Sequence, residues 1–83
     1  MDVQAEVLRV LDEVLSLGGR SAAFTRDTYL LGAIPELDSM AVVSLLTTLE
    51  DRLGITVEDD AIDGETFATV GTLVDFVSKL AST

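Results

Sequence analysis

The chain has no cysteine, no histidine, no tryptophan and one proline, and only five basic residues stand against fifteen acidic ones. Without cysteine there is no disulfide framework, no thiolate nucleophile and no thiolate metal site. Without histidine the chain lacks the usual general base near neutral pH and the commonest metal ligand. Imidazole triads and imidazole zinc sites are therefore excluded. The formal charge of −10 over 83 residues excludes a general nucleic-acid binder, because phosphate contacts need Lys and Arg. Such a field favours partners with basic surfaces. The uncharged stretch Met40 to Leu49 spans ten residues, too short to cross a bilayer. The start, Met1-Asp2-Val3-Gln4, lacks the basic-then-apolar pattern of a signal peptide. The expectation is one cytoplasmic, monomeric domain over residues 1–83, with no membrane insertion.

What is present is helical periodicity. Val3, Val7, Val10, Leu11, Val14 and Leu17 recur at three and four residues, the spacing of one helical face. This predicts a helix from about Asp2 to Leu17, stopped by Gly18-Gly19. No period holds from Arg20 to Asp38. This long connection is expected to be tied down by Phe24, Tyr29, Leu30, Leu31 and Ile34. Asp38 is a good N-cap for a second helix that runs to Leu53 and stops at Gly54. Its core stripe is Val42, Leu45, Leu46, Leu49 and Leu53. Met40, Val43 and Thr47 form a second row rotated away from it. Ile55-Thr56-Val57 reads as extended. A short helical turn is expected near Asp59–Asp63 or Glu65–Phe67. A last helix starts near Thr69 and ends near Leu80, with Val70, Leu73, Val74, Val77 and Leu80 inward and Lys79 suited to its C-terminal dipole. The predicted fold is all-α: a small antiparallel four-helix bundle of three main helices and one short one, with a long loop after the first.

Few side chains suit chemistry. Fitted to a calcium loop, Gly64 at position 6 puts Asp59 at 1 and Asp63 at 5. Position 3 is then Ala61 and position 12 Val70, so two ligands are missing, including the bidentate one. The acidic segment reads as a solvated face, and no metal site is expected. Paired carboxylates do acid–base work only where a pocket separates their pKa values, and none is signalled. The distinctive stretch is Glu36-Leu37-Asp38-Ser39-Met40. Ser39 falls in the first turn of a helix, where backbone N–H groups lack partners and the dipole is positive. A phosphate ester on Ser39 is well placed there; equally, Asp38 or Ser39 serves only as a cap.

Leu37-Asp38-Ser39-Met40 at a helix start resembles the Asp-Ser-Leu signature of acyl carrier proteins. The likeness extends to the first helix, the long loop, the Glu50-Asp51-Arg52-Leu53-Gly54-Ile55 helix exit and the Phe67-Ala68-Thr69-Val70 approach to the last helix. It covers essentially the whole chain. The resemblance implies a non-catalytic carrier. Ser39 would hold a covalent 4′-phosphopantetheine arm, installed from coenzyme A by a phosphopantetheinyl transferase, and the arm's thiol would carry an acyl thioester. Asp38 would cap the helix and help the transferase engage. Glu36, Met40, Val43, Glu50 and Asp51 would meet acyl-loading and acyl-using enzymes with basic or apolar patches. Val42, Leu46, Phe67 and Val74 would line a sheltered acyl chain.

Between Glu36 and Glu65 there are nine acids and one base. Carriers of fatty-acid synthases typically place acids two and five residues after the serine; here Ala41 and Ser44 stand there, and Met40 replaces the usual Leu. This points to a dedicated pathway of lipid or polyketide biosynthesis rather than housekeeping fatty-acid synthesis. The alternatives are an aminoacyl or peptidyl carrier, an unmodified acidic adaptor, and a divalent-ion module on the acidic segment.

Overall fold

The computed structural model describes residues 2–35, 37–58, 62 and 65–81. It contains α1 (Val3–Leu15), a 3-10 turn (Arg20–Ala23), α2 (Ser39–Leu53) and α3 (Val70–Ala81). Helix α1 packs against α2, α3 and the 3-10 turn. The architecture is all-α, with no strand among the described residues. The short helix expected near Asp59–Asp63 falls largely on Asp59, Asp60, Ala61, Asp63 and Gly64, which lie outside the described residues. At its other expected place the chain turns instead, with Ala68 N–H donating to Glu65 O. The fourth short element is the 3-10 turn in the first loop. None of the described helices is long and apolar enough to cross a membrane.

Asp2 caps α1 by accepting the Ala5 N–H at 3.2 Å. The helix ends earlier than the sequence predicts. Ser16 takes the left-handed conformation (φ 54°), two residues before the glycines. The cause is Asp12, whose carboxylate gathers the Gly19 N–H, the Ser21 N–H and the Ser21 hydroxyl. This pulls the chain round below the last turn, and Leu17 enters the core from outside the helix. These hydrogen bonds, led by the Ser21 hydroxyl, hold the Asp12 carboxyl below its ordinary pKa.

The loop is anchored differently from expectation. Leu30 is fully buried and Phe24 and Ile34 are half-buried, but Tyr29 (68% exposed) and Leu31 (48%) face solvent. The segment runs extended, so alternate side chains face opposite ways. It is zipped onto the approach to α3. Leu30 and Leu31 donate N–H bonds to Ala68 O and Phe67 O, and Thr28 O and Arg26 O accept from Val70 and Gly71, all at 2.9 Å. Tyr29 and Thr69 form an isolated antiparallel bridge. Above it the Arg26 guanidinium holds both oxygens of Asp75.

Along α2, Leu45 and Leu49 are fully buried, while Val42, Leu46 and Leu53 are half-buried against the core. At the far end Arg52 grips both oxygens of Glu13 on α1, which raises the Arg52 pKa further. Thr69 caps α3, which starts where the sequence predicts, in a reciprocal pair: Thr72 N–H donates to the Thr69 hydroxyl oxygen at 3.2 Å and Thr69 N–H to that of Thr72 at 3.0 Å.

Candidate functional site

The site is built at the start of α2. Asp38 holds an extended conformation (φ −114°, ψ −174°), and its Oδ1 accepts the Ala41 N–H at 2.8 Å. Its carbonyl accepts the Val42 N–H at 2.9 Å. The aspartate is therefore the cap, and Ser39 is left one residue inside, exposed. The choice between Asp38 and Ser39 as cap is thus decided for Asp38. The Ser39 hydroxyl sits at the positive end of a 15-residue helix, where the first N–H groups have no partner within the helix. That suits a phosphate ester.

The rows of α2 separate as the sequence indicates. Met40 (80% exposed) and Val43 (64%) face solvent. Val43 lies four residues after Ser39, on the same side of the helix. Thr47 continues that line, its hydroxyl spent on Val43 O. Asp51 is exposed, but Glu50 is half-buried and its Oε2 accepts the Val57 N–H at 2.9 Å. Its carboxylate therefore fixes the turn after α2. Glu36 lies outside the described residues.

The residues expected to line an acyl chain are not gathered around one opening. Phe67 and Val74 are core side chains, and Val42 is half-buried against the core. Leu46 borders a cavity of about 130 Å³ on the flank of α2, with Val43, Thr47, Glu50, Val57 and Ile62. Sequence reasoning did not place Val57 and Ile62 there. The alternation Ile55-Thr56-Val57-Glu58 signals Val57; no local pattern marks Ile62. A larger groove of about 390 Å³ runs between α1 and the 3-10 turn, away from Ser39. Among the described residues no cluster of acids is arranged to hold a metal ion; Asp59 and Asp63, the partial calcium-loop positions, lie outside them.

Comparison with known proteins agrees with this geometry. The family described as "Phosphopantetheine attachment site" matches residues 36–77. A holo acyl carrier protein of Nitrosomonas europaea, solved by solution NMR, superposes with a TM-score of 0.91 over 100% of both chains, at 44% identity. Acyl carrier protein AsbD of Bacillus anthracis is 28% identical over 74 residues, covering 89% of this chain and 79% of its own. The chain belongs to the acyl carrier protein family. It is a non-catalytic carrier with a covalently attached phosphopantetheine, and its partners include a phosphopantetheinyl transferase and acyl-handling enzymes.

Proposed function

We propose that Ser39 carries the phosphopantetheine. The observation that supports this is the division of labour at the start of α2: Asp38 makes the cap bond and leaves the Ser39 hydroxyl exposed at the positive helix end. In the transfer, the Ser39 oxygen attacks the pantetheine-bearing phosphorus of coenzyme A. The pyrophosphate bond breaks, 3′,5′-adenosine bisphosphate leaves, and the hydroxyl proton passes to a base of the transferase. The first-turn N–H groups and the helix dipole stabilise the phosphodiester that forms. The bound arm supplies the thiol that holds an acyl group as a thioester. No side chain of this chain takes part in acyl chemistry; the residues present and geometry leave that to partner enzymes.

Met40 and Val43, with Glu50 and Asp51, are the partner-facing residues in this reading, together with Glu36, three positions before the serine in the sequence. Among the described residues Leu46 borders the cavity on the flank of α2, which supports acyl shelter there; Phe67 and Val74, buried in the core, would have to move to admit a chain. Ala41 and Ser44, neutral where housekeeping carriers place acids, support service in a dedicated lipid or polyketide pathway.

The test is intact mass before and after incubation with coenzyme A and a broad-specificity phosphopantetheinyl transferase. One phosphopantetheine is gained by the wild-type chain and none by Ser39→Ala. An unchanged wild-type mass, with the transferase active on a second carrier, refutes the assignment.

A further inference from the structure

We infer that the cavity on the flank of α2 selects a short acyl group that carries a hydrogen-bond donor, a hydroxyl or an ammonium, over a plain alkyl chain. The inference deepens the proposed function and rests on the assignment of Ser39 as the attachment point of the arm.

The cavity lies in line with the serine. Val43, Leu46, Thr47 and Glu50 stand four, seven, eight and eleven residues after Ser39, so they follow it along one side of the helix. Seven residues rise about 10 Å along the axis. An arm that folds back from Ser39 along this stripe brings its end to the cavity, which Val57 and Ile62 close from the other side.

Size limits what can enter. The volume is about 130 Å³. An apolar cavity of about 150 Å³ holds one benzene molecule, and a water takes about 30 Å³ of liquid. By either comparison about four to six non-hydrogen atoms fit. Leu45 and Leu49, the inward residues of the same helix, are fully buried. A longer chain therefore gains further shelter only by displacing close-packed core side chains.

The polar lining sets the chemistry. Four of the six lining residues are apolar, and the other two present only acceptors. The Thr47 hydroxyl spends its proton on Val43 O at 3.0 Å, so its oxygen is left to accept. Glu50 Oε2 accepts the Val57 N–H at 2.9 Å, and among the described residues its Oε1 takes no donor. An alkyl group laid against these oxygens strips them of water and returns nothing, which is costly. A hydroxyl or ammonium on a short acyl group restores the lost bond. The charge on Glu50 makes that bond stronger than a neutral one. No Lys or Arg stands between Asp27 and Asp51 to compete for it, and Arg52 is turned onto Glu13 of α1.

The experiment loads the apo chain with a broad-specificity phosphopantetheinyl transferase from the coenzyme A thioesters of butanoyl, 3-hydroxybutanoyl, 3-aminobutanoyl and octanoyl groups. Cleavage of each thioester by hydroxylamine is followed by intact mass and divided by the rate for the same group on free pantetheine. The hydroxy and amino groups are expected to be cleaved about three- to tenfold more slowly than butanoyl, the worth of one hydrogen bond, and octanoyl no more slowly than butanoyl. Amide NMR signals of Leu46, Thr47 and Val57 should shift with the two donor-bearing groups. Thr47→Val removes one acceptor and should reduce both advantages. Glu50→Gln keeps an oxygen for Val57 but removes the charge, so it should reduce the amino group's advantage more. Thermal melts check that both variants fold. Protection of the amino group alone identifies the Glu50 charge as the selector; protection of both identifies hydrogen bonding. Butanoyl sheltered as well as its hydroxy and amino derivatives, or octanoyl sheltered best, overturns the inference. No loading of the wild type by a transferase active on a second carrier refutes the Ser39 assignment, and the inference falls with it.

Discussion

Replacing Gly71 by alanine sets a small gain in helix propensity against a larger steric cost. Gly71 is the second residue of α3 and its φ is ordinary, so alanine should help the helix by about 0.5–1 kcal/mol. The neighbouring loop opposes this. A Cβ built on Gly71 would lie 2.9 Å from the Arg26 carbonyl oxygen and 3.3 Å from the Arg26 Cβ. The same carbonyl accepts the Gly71 N–H at 2.9 Å, so it cannot withdraw without breaking that bond. Relieving the overlap is an overpacking problem, which costs about 1–3 kcal/mol, and the lost hydrogen bond costs about 1 kcal/mol more. The net effect is a destabilisation of about 2 kcal/mol. For a domain of this size that lowers Tm by roughly 10 °C. Urea and thermal melts of Gly71→Ala measure it directly. Hydrogen exchange should show faster exchange at Leu30 and Leu31, whose N–H groups belong to the same zipper. An alanine variant as stable as wild type, or more so, would refute the close approach of loop and helix.

Three further outcomes are expected. Asp38→Ala should lose about 1 kcal/mol of stability with its cap bond, read by urea denaturation; an unchanged midpoint would mean that another group caps α2. Met40→Ala should change stability by less than about 0.5 kcal/mol, because the side chain is 80% exposed; a loss of several kcal/mol, as for a buried methionine, would place Met40 in the core. The Asp12 carboxyl is held below its ordinary value by the Ser21 hydroxyl and the Gly19 and Ser21 N–H groups. Its folded pKa is depressed, so its contribution is complete above the unfolded value and is lost as pH falls below about 4. Melts between pH 7 and 3 should therefore show a drop at the acid end that Asp12→Asn reduces; an identical pH profile in the variant would contradict the assignment.

The helices were legible because each carries its own periodicity and its own punctuation. Asp38 and Gly54 bracket α2 at the positions the sequence indicates, and Thr69 caps α3. The end of α1 was not legible, because the stop is made at long range. Asp12 collects partners seven and nine residues away, and a side-chain bond of that span leaves no local pattern. The loop was legible as to Phe24, Ile34 and above all Leu30. Its neighbours Tyr29 and Leu31 are as apolar as the residues that bury, and composition alone cannot say which way an extended segment alternates. That is set by the pairing with residues 67–71, nearly forty positions on. The separation of Met40 and Val43 from the core stripe followed from helical geometry, while the cavity lined by Leu46, Val57 and Ile62 depended on where the chain goes after Gly54.

The same division explains how a chain without a reactive side chain presents a reactive position. A serine at the N-cap would spend its oxygen on the helix, accepting an N–H two or three residues on. Shifting the cap to Asp38 satisfies that donor with a carboxylate, which the helix dipole also favours. Among the described residues the Ser39 hydroxyl then has no structural duty, yet its backbone is fixed in the first turn. Leu37, buried immediately before the cap, anchors the approach from the other side. The nucleophile is thus exposed while its position is held by the core, and an incoming enzyme has no helix bond to break before reaching it. Exchanging the two residues, Asp38→Ser with Ser39→Asp, should keep a capped helix but put the hydroxyl back into structural use. Modification by the transferase should then fall at least a hundredfold, while the melting temperature moves by only a few degrees. Equal modification of the exchanged chain would show that the order of the two residues does not govern access to the hydroxyl.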